Sequence, residues 1–457
     1  MGGTTMAPLP RTHDPRRRRF LAGSAALAAG GLFTRAAAAE RTPPNLPQIR
    51  QTNDDIDWAA VRSQFILPPD MVYMNSGSEG SMPGFVLNNL AQYSTQWAKN
   101  PSYSYFSDPE LGQYQTVNRE RVARFLGTQA DNICLTNNTT MGLAMATLGI
   151  NLESGDEILT TNQEHYSLLS PLDVLARRWG VQIRELAIPI PPSSPEQIIE
   201  IFESAITAKT KAVCFSHVTW TNGLRMPVAA ICAIMRDRGE ITTIIDGAQA
   251  PGAVALNLPE LACDYYAGPG HKWLSGPPGT GFLFARNAAS VPVDLWPILS
   301  EDALVMDQYP ITTVLQIRGC NNTPSFEAMC DVMDFEGAIG QDAIAQRLAT
   351  LNRRVKTMAV SRWGEACLFT SLDPALSAGI AAFVPSADPA KRHDQSFVSG
   401  VVTALQDRGI WARMTQFPDP AAPAEATTYT LRVSTNIFND SQDIDVLFAA
   451  LDTITSG

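Results

Sequence analysis

The chain has 457 residues, of which 45% are hydrophobic, and it carries a formal net charge of −11 at pH 7. This length and apolar content allow a large core and more than one domain, and they exclude a chain that is disordered throughout. The acidic balance disfavours a nucleic-acid partner, because basic surfaces are what attract phosphate backbones.

The first 39 residues have the pattern of an export signal and are predicted to lie outside the fold. Four arginines at 16–19 precede Phe20-Leu21 and a short apolar stretch, and four alanines end at Ala39. The stretch is too short to span a bilayer, and its ends are typical of a signal peptide. Two arginines followed after one residue by Phe20-Leu21 match the bacterial twin-arginine pathway. We therefore expect a periplasmic protein without a stable membrane anchor; the alternative is a basic, alanine-rich disordered tail.

Seven cysteines occur, an odd number without any C-x-x-C pair. Most of them stand inside apolar runs, where buried thiols are common. The pattern therefore does not indicate a disulfide framework, and no metal-ligand spacing is present, so no metal site is expected.

Predicted strands and helices alternate along most of the chain, after a Pro-rich entry and a short helix near 55–64. The strands are expected at 132–136, 157–161, 181–188, 212–217, 241–246, 263–267 and 281–285. The helices are expected at 110–126, 140–149, 167–179, 195–207 and 227–238. This alternation predicts an α/β fold with a mostly parallel central sheet covered by helices. Ligands of such sheets bind beyond the carboxyl ends of the strands.

The pattern changes after about residue 330. A long helix at 326–354 leads to mixed α/β material that ends in a strand at 431–434 and a helix from Ser441. These elements predict a smaller α+β domain at the C-terminus. The predicted division is a signal at 1–39, an N-terminal segment at 40–90, a large domain at 91–325 and a small domain at 326–457.

Lys272 stands among small residues, between His271 and Trp273, just before the Gly/Pro-rich loop 276–281. A partly desolvated lysine has a lowered pKa and can attack a carbonyl as a free amine. The alternative is a surface turn that carries a lysine by chance, and this segment alone leaves both interpretations open.

Asp246 closes an apolar, β-branched strand. A carboxylate in that place is costly unless it has a cationic partner, and the pyridinium nitrogen of pyridoxal phosphate would be one. The alternative is an N-cap at a strand-to-helix turn, a role that Asp favours.

Thr139 and Thr140 join a predicted strand to a helix. Hydroxyls and free N–H groups at a helix N-terminus suit a phosphate, although an ordinary capped helix has the same pattern. The histidines are more informative: of the four that follow the predicted signal, His165, His217 and His271 fall at strand ends or beside Lys272. This concentration indicates a single site.

In this order, the segments resemble the class V aminotransferases of fold type I, which depend on pyridoxal 5′-phosphate. The resemblance extends from about Met71 to the C-terminus and is greatest for the isopenicillin N epimerase-like branch. It assigns Lys272 as the Schiff-base lysine, Asp246 as the pyridinium partner and Arg432 as the residue that binds the substrate carboxylate. His165 would stack on the pyridine ring and Gln249 would lie near the phenolic oxygen. Further contacts would come from Thr139, Thr140, His217, Thr219, His271 and, across a homodimer, Gly319, with Asn75 near the substrate.

Three positions depart from the family pattern. Pro269 stands where a phosphate-contacting serine is frequent, and Gly319-Cys320 replaces the Gly-Thr pair lent by the partner subunit. Trp220 replaces an asparagine found in desulfurases. Phosphate and ring contacts are therefore expected to be distributed differently from those of the family.

The cofactor allows transamination, racemisation or elimination. Desulfurases need a mobile cysteine nucleophile in the small domain; the comparable stretch 411–415 has none, and Cys367 is nearer a predicted strand. The segment 73–80 resembles the epimerase-like branch, although a plain Gly-rich loop explains it equally. We predict an exported aminotransferase acting on an amino acid or amino-bearing peptide side chain with a carboxylate. An epimerase or C–S lyase is the alternative among enzymes, and a catalytically silent ligand-binding relative is the alternative outside them.

Overall fold

A mostly parallel sheet forms the centre of the computed structural model. The residues described are 46–49, 55–101, 115–239, 241–288, 295–301, 309–418 and 426–456. The predicted signal at 1–39 and the first part of the helix predicted at 110–126 lie outside these ranges.

Twelve strands occur in the described part of the chain. They are β1 (Val72–Tyr73), β2 (Ile133–Thr136), β3 (Glu157–Thr161), β4 (Gln182–Leu186), β5 (Thr210–Ser216), β6 (Thr242–Asp246), β7 (Tyr265–Pro269), β8 (Gly281–Ala285), β9 (Ile380–Phe383), β10 (Ile410–Trp411), β11 (Arg413–Pro418) and β12 (Thr427–Ser434). The central sheet has the order β2-β8-β7-β6-β5-β3-β4, and β8 is antiparallel to both neighbours. The predicted α/β class and the strands assigned to this sheet are confirmed, with boundaries shifted by at most two residues.

Helices cover the sheet and continue to the C-terminus. They are α1 (Trp58–Arg62), α2 (Gly84–Lys99), α3 (Thr116–Phe125), α4 (Thr139–Gly149), α5 (Tyr166–Trp179), α6 (Pro195–Ala205), α7 (Val228–Asp237), α8 (Leu258–Leu261), α9 (Ile311–Gln316), α10 (Thr323–Ile339), α11 (Gln341–Trp363), α12 (Gln395–Gln406) and α13 (Ser441–Thr455). None of the helices in the described residues combines the length and apolarity that crossing a bilayer requires.

Both faces of the sheet are buried, because successive residues of one strand enter different cores. On β6, Ile245 belongs to one apolar cluster with Phe215 and Tyr266, whereas Ile244 belongs to another with Ala267 and Leu283. Strands buried on both faces read as continuous apolar runs, which is why they could be located in the sequence.

Helix α6 illustrates how local sequence fixes a covering helix. The Ser194 side chain accepts a hydrogen bond from Gln197 N at 3.3 Å and caps the first turn, and a proline occupies the first helical position. Ile198 and Phe202, four residues apart, face the core. Full burial of a side chain such as Phe202 contributes about 1.5–3 kcal/mol.

The C-terminal part contains a second, antiparallel sheet in the order β11-β12-β9. The predicted strand at 431–434 forms the end of β12, and the predicted helix from Ser441 is α13, which begins with a capping box between Asp440 and Asp443. The contacts group Leu46–Gly457 as one compact unit, and the division at 326 stays a prediction.

The single helix predicted at 326–354 is wrong. The chain forms α10 and α11 instead, and they are separated by Gly340, whose φ is +102°. Gly340 N donates to Glu336 O at 2.8 Å and closes α10. Residues with a side chain rarely adopt such a φ, so the glycine permits the break.

Candidate active site

The predicted site residues follow strands that end at the same edge of the central sheet. Strands β7, β6, β5 and β3 are parallel, and β2 runs in the same direction because β8 is antiparallel to both β2 and β7. The carboxyl ends of these strands lead to Thr139, Lys272, Asp246, His217 and His165, in that order across the sheet. The fold therefore brings together side chains that are up to 133 positions apart.

Lys272 is partly buried, and its environment favours the neutral amine. Burial lowers the pKa of Lys272 to about 8, which the Asp246 carboxylate opposes and the Arg432 and Arg413 guanidinium groups reinforce. A free amine with this pKa is present in an appreciable fraction at neutral pH. The surface-turn interpretation of this lysine is thus excluded.

The segment around Lys272 is held by the N-terminal loop. Gly80 N donates to His271 O at 2.8 Å. A Cβ atom at Gly80 would lie 1.9 Å from Lys272 O, so that only a glycine permits this approach. The loop at 75–80 thereby fixes the backbone that carries the lysine.

Asp246 is buried at the end of β6. Its Oδ1 accepts a hydrogen bond from Ala248 N at 2.8 Å, so the side chain does cap the turn that follows. Burial raises the pKa of Asp246, which the Ala248 N–H and Lys272 oppose. A carboxylate desolvated to this degree favours a cationic partner.

The three clustered histidines occupy different surroundings. The His217 ring lies in the core, with Nδ1 at 3.0 Å from Tyr266 Oη, and burial lowers its pKa to about 3. His165 Nδ1 accepts from Ser167 N at 3.1 Å, and its ring meets that of Trp220 edge-on at 5.2 Å between centroids. The pKa of His165 is lowered to about 4, first by burial and then by Lys272 and the two arginines. Both rings are consequently neutral at pH 7.

His271 and Thr139 have buried polar atoms without a hydrogen-bond partner among the described residues. These atoms are His271 Nδ1 and Thr139 Oγ1. Thr139 begins α4, which Asn138 caps through a bond to Met141 N at 2.9 Å. A buried polar atom that lacks a partner in the protein is costly, so each of these atoms is suited to a bound group.

The N-termini of two helices meet beside this point. Thr140, at the start of α4, donates from Oγ1 to Ser167 Oγ at 2.8 Å, and Ser167 lies in the first turn of α5. Helix N-termini present free N–H groups and a positive dipole end, which favour an anion. The phosphate role predicted for Thr139 and Thr140 stays a prediction, and these helix N-termini are suited to it.

Two other predicted cofactor contacts are engaged by the protein itself. Gln249 donates from Nε2 to Gly77 O at 2.8 Å and accepts from Trp273 Nε1 at 2.9 Å, so it ties the loop at 75–80 to the lysine segment. Thr219 Oγ1 accepts from Leu224 N at 2.9 Å and closes the turn after β5. In this structure both side chains support the walls of the site.

Gly319 is not joined to Lys272 by any contact among the described residues. It lies in the turn after α9 with φ of +73°, beside the Glu301 side chain. The role predicted for Gly319 requires a partner subunit and stays a prediction.

Arg432 is almost completely buried, with 1% of its surface exposed. Nη1 donates to Trp220 O at 2.9 Å, and Nη2 donates to Asn75 Oδ1 at 3.0 Å and to Ser78 Oγ at 2.6 Å. Its Nε has no partner among the described residues. Burial lowers the pKa of Arg432 to about 9, with a further contribution from Arg413. Asn75 thus lies beside Arg432, and the substrate-binding role predicted for both residues stays a prediction.

Arg413, Ser78 and Glu164 are part of the site, although the sequence did not single them out. Arg413 is the partner of Arg432 across strands β11 and β12, and its Nη1 donates to Ser78 Oγ at 3.2 Å. Glu164 is buried next to His165 and accepts from the hydroxyls of Thr161 and Ser216, each at 2.6 Å. Two of them had a signal in the sequence: Glu164 adjoins a predicted histidine, and Ser78 lies in the segment 73–80 that resembles the epimerase-like branch.

A sequence profile of the family described as Aminotransferase class-V matches residues 72–447. The chain belongs to the class V aminotransferase family. Isopenicillin N epimerase of Streptomyces clavuligerus is 31% identical over 411 residues, which cover 87% of this chain and 98% of that protein. A probable cysteine desulfurase of Halalkalibacterium halodurans is 28% identical over 84% of this chain and 92% of that protein.

Solved structures share the fold of this class V protein. A cysteine desulfurase from Thermococcus onnurineus in its apo form has a TM-score of 0.71 at 22% identity, over 90% of this chain and all of that one. A mutant of a cystine C–S lyase, with glycine covalently linked to its pyridoxal phosphate, has a TM-score of 0.70 at 20% identity. It covers 86% of this chain and 99% of that chain.

This class V enzyme depends on pyridoxal phosphate, as does its family. The described residues fit that cofactor at each end. Thr139 Oγ1 is unpartnered at the helix N-termini, where the phosphate would bind, and Asp246 is a buried carboxylate that the ring nitrogen would neutralise. Lys272 supplies an amine of lowered pKa for the aldehyde.

Proposed function

We propose that the enzyme is an aminotransferase acting on an amino acid, or on an amino-bearing peptide side chain, that carries a carboxylate. The observation that carries this proposal is the position of one amine, Lys272, close to Asp246 at the carboxyl ends of the parallel strands, with two histidines nearby whose burial favours the neutral imidazole. Lys272 has a pKa near 8, whereas His165 and His217 have pKa values near 4 and 3. One amine is therefore available to move a proton at neutral pH, and the neighbouring imidazoles are not protonated acids.

Three side chains of the protein would bind the substrate, keep the cofactor ring protonated and transfer the proton. Bound pyridoxal phosphate supplies an electron sink that acidifies the substrate Cα–H bond. Arg432 would bind the substrate carboxylate, and Asp246 would keep the ring nitrogen protonated. Lys272 Nζ would take the proton from the substrate Cα and deliver it, on the same face, to the C4′ carbon of the cofactor.

Transamination needs proton transfer on one face only, and a single amine suffices for it. Epimerisation needs the proton to return on the opposite face, which a second acid would favour. Among the described residues around Lys272, burial favours the neutral form of His165 and His217, and Asp246 is assigned to the ring nitrogen. This arrangement favours aminotransferase chemistry.

Epimerisation is the second candidate, and similarity supports it. The isopenicillin N epimerases of Streptomyces clavuligerus and Amycolatopsis lactamdurans are 31% and 30% identical to this chain. C–S bond cleavage has less support, although probable cysteine desulfurases are also relatives. Six of the seven cysteines, Cys367 included, are buried, and the exposed Cys320 follows Gly319, which no described contact joins to Lys272.

The reactions are separated by supplying amino acids to the holoenzyme in deuterated water without a keto-acid acceptor. We expect release of up to one equivalent of keto acid per subunit, followed by multiple turnovers when an acceptor is added. Deuterium incorporation at Cα with loss of chirality and no keto acid would overturn transamination in favour of epimerisation.

A Lys272→Ala variant tests whether the protein is an enzyme that uses Lys272 rather than a protein that only binds a ligand. The variant should lose turnover by at least about 10²–10⁴-fold, the contribution of a positioned proton-transfer group. Its cofactor absorption spectrum should also change, because the covalent link to Nζ is lost. An unchanged spectrum and no turnover in the wild type would instead support a silent ligand-binding relative.

Export to the periplasm by the twin-arginine pathway, and assembly as a homodimer, are further parts of the proposal. Export rests on the arginines at 16–19 and the apolar stretch that follows them. Replacing Arg17 and Arg18 by lysine should retain the protein in the cytoplasm on cell fractionation. Sedimentation of the holoenzyme as a monomer would contradict the dimer.

A further inference from the structure

Two arginines stand directly opposite each other on neighbouring strands beside the site. Arg413 of β11 and Arg432 of β12 are Cα partners in the antiparallel register. Like charges in this position repel each other and destabilise a strand pair. Neither guanidinium has a carboxylate within ion-pair distance among the described residues.

Both arginines bond to one hydroxyl group. Ser78 Oγ accepts from Arg432 Nη2 at 2.6 Å and from Arg413 Nη1 at 3.2 Å. The two guanidinium groups are therefore held close together by a neutral acceptor that cannot balance their charge. The positive charges of Arg413 and Arg432 both contribute to the lowered pKa values of Lys272 and His165. The pair of Arg413 and Arg432 therefore carries positive charge that no carboxylate within ion-pair distance among the described residues balances.

The two arginines differ in depth. Arg432 is buried, with 1% exposed, whereas Arg413 is exposed and lies 6.0 Å over the ring of Trp220. Trp220 also provides the backbone oxygen that accepts from Arg432 Nη1 at 2.9 Å. Arg413 thus lies nearer the surface than Arg432, on the same face of the strand pair.

We propose that Arg413 is a specificity-determining residue that binds a second carboxylate, so that the enzyme acts on dicarboxylic amino acids. Arg432 holds the carboxylate next to the reacting carbon, and Arg413 binds the carboxylate at the far end of the side chain. The second anion neutralises the charge that the strand pair leaves unbalanced. This inference rests on the proposed function for its reaction, but the binding it requires does not depend on turnover.

The test compares substrates that differ only in charge. Glutamate and glutamine have the same shape, and the holoenzyme should prefer glutamate by roughly 10–100-fold in kcat/KM, as expected for one charge-assisted pair. In Arg413→Met, which retains an unbranched apolar stem against Trp220, this ratio should fall to near one. Arg413→Lys should recover part of it, because the positive charge is restored.

A binding measurement makes the outcome independent of the reaction. Calorimetric titration of the holoenzyme with glutarate and with butyrate should give tighter binding of the dicarboxylate, and Arg413→Met should remove the difference. Arg408→Met is the matched control, since this exposed arginine bonds to Ala404 O within its own segment at 2.7 Å. Arg408→Met should leave unchanged both the glutamate-to-glutamine ratio of kcat/KM and the preference for glutarate over butyrate in binding.

The outcomes separate the two proposals. A glutamate-to-glutamine ratio and a glutarate preference that persist in Arg413→Met overturn the role of Arg413. Dicarboxylate binding that depends on Arg413, without keto-acid release from any amino acid, supports the second anion site and overturns the aminotransferase proposal alone. An equal loss of binding for glutarate and butyrate in Arg413→Met also overturns the inference, because Arg413 would then serve the first carboxylate.

Discussion

Two arginine clusters in this protein differ in what surrounds the charge. Arg121, on α3, bonds to Asp331 at 2.7 Å and to Asp334 at 2.6 Å, both on α10. Asp331 also accepts from Asn89 Nδ2 at 2.9 Å and Tyr93 Oη at 2.8 Å, both on α2. This cluster joins three helices, and its cation is paired with carboxylates of the protein itself.

The cluster of Arg432 and Arg413 has the opposite character. Its partners are a hydroxyl, an amide oxygen and a backbone carbonyl, and Arg432 Nε has no partner among the described residues. In a structural ion pair, which we call a closed cluster, each cation is paired with an anion of the protein itself. A binding site, which we call an open cluster, leaves part of its charge unpaired until a ligand of opposite charge binds. The two clusters should therefore respond in opposite ways to loss of an arginine.

The largest expected effect is on stability, from Arg121→Met. The variant leaves Asp331, whose side chain has no exposed surface, without its cation. We expect the free energy of unfolding to fall by about 3–5 kcal/mol, because a buried charge is left uncompensated. Urea unfolding measures this effect, and the KM for the amino substrate should not change. As a control, Arg177→Met removes an exposed i,i+4 pair and should not measurably alter stability.

The second effect is on binding, from Arg432→Met. The KM should rise by roughly 10–100-fold through loss of a charge-assisted pair with the substrate carboxylate. The free energy of unfolding should stay the same or increase, since a desolvated charge is removed. Arg119→Met is the matched control, because Arg119 is equally buried but bonds to Ile133 O at 2.7 Å and Ala130 O at 3.0 Å. That variant should lose stability at constant KM, and the reverse pattern would contradict the distinction between open and closed clusters.

The smallest expected effect concerns the buried carboxyl group of Glu336, which has no hydrogen-bond partner among the described residues. Glu336, on α10, has both carboxyl oxygens buried without a hydrogen-bond partner among the described residues. Burial raises its pKa well above the ordinary value. The neutral form is therefore favoured in the folded state. Its contribution to stability is fully present below the unfolded pKa of about 4.3 and is lost as pH rises toward the folded pKa.

Glu336→Met should increase the free energy of unfolding at pH 7 by about 1–2 kcal/mol and have little effect at pH 4. Urea unfolding at the two pH values measures the difference. Equal effects at both pH values would mean that Glu336 does not titrate between them. A loss of stability at pH 7 would indicate that the carboxylate has a function in the fold.

The sequence predicted the parts of the site that depend on local order. Lys272 and Asp246 follow strands that are apolar enough to be located, and parallel strands bring their carboxyl ends to one edge whatever their distance along the chain. The wall formed by Arg413 and Arg432 depends on the register of two antiparallel strands, which a slip of one residue would change. The break at Gly340 was missed because a glycine within a helical pattern is often tolerated.

The N-terminal strand β1 has a consequence for the order in which the enzyme becomes active. Val72 and Tyr73 pair with Ile410 and Trp411, and Asn75 forms a bridge with Ser434 at the end of β12. Synthesis delivers the N-terminal strand first, but its partners leave the ribosome more than 330 residues later. The loop at 75–80, which contacts both the Lys272 segment and Arg432, cannot reach its final position before residues 410–434 have been synthesised. We therefore expect a chain truncated before Ile410 to form the central sheet without the arrangement of Lys272 and Arg432 that the complete chain has.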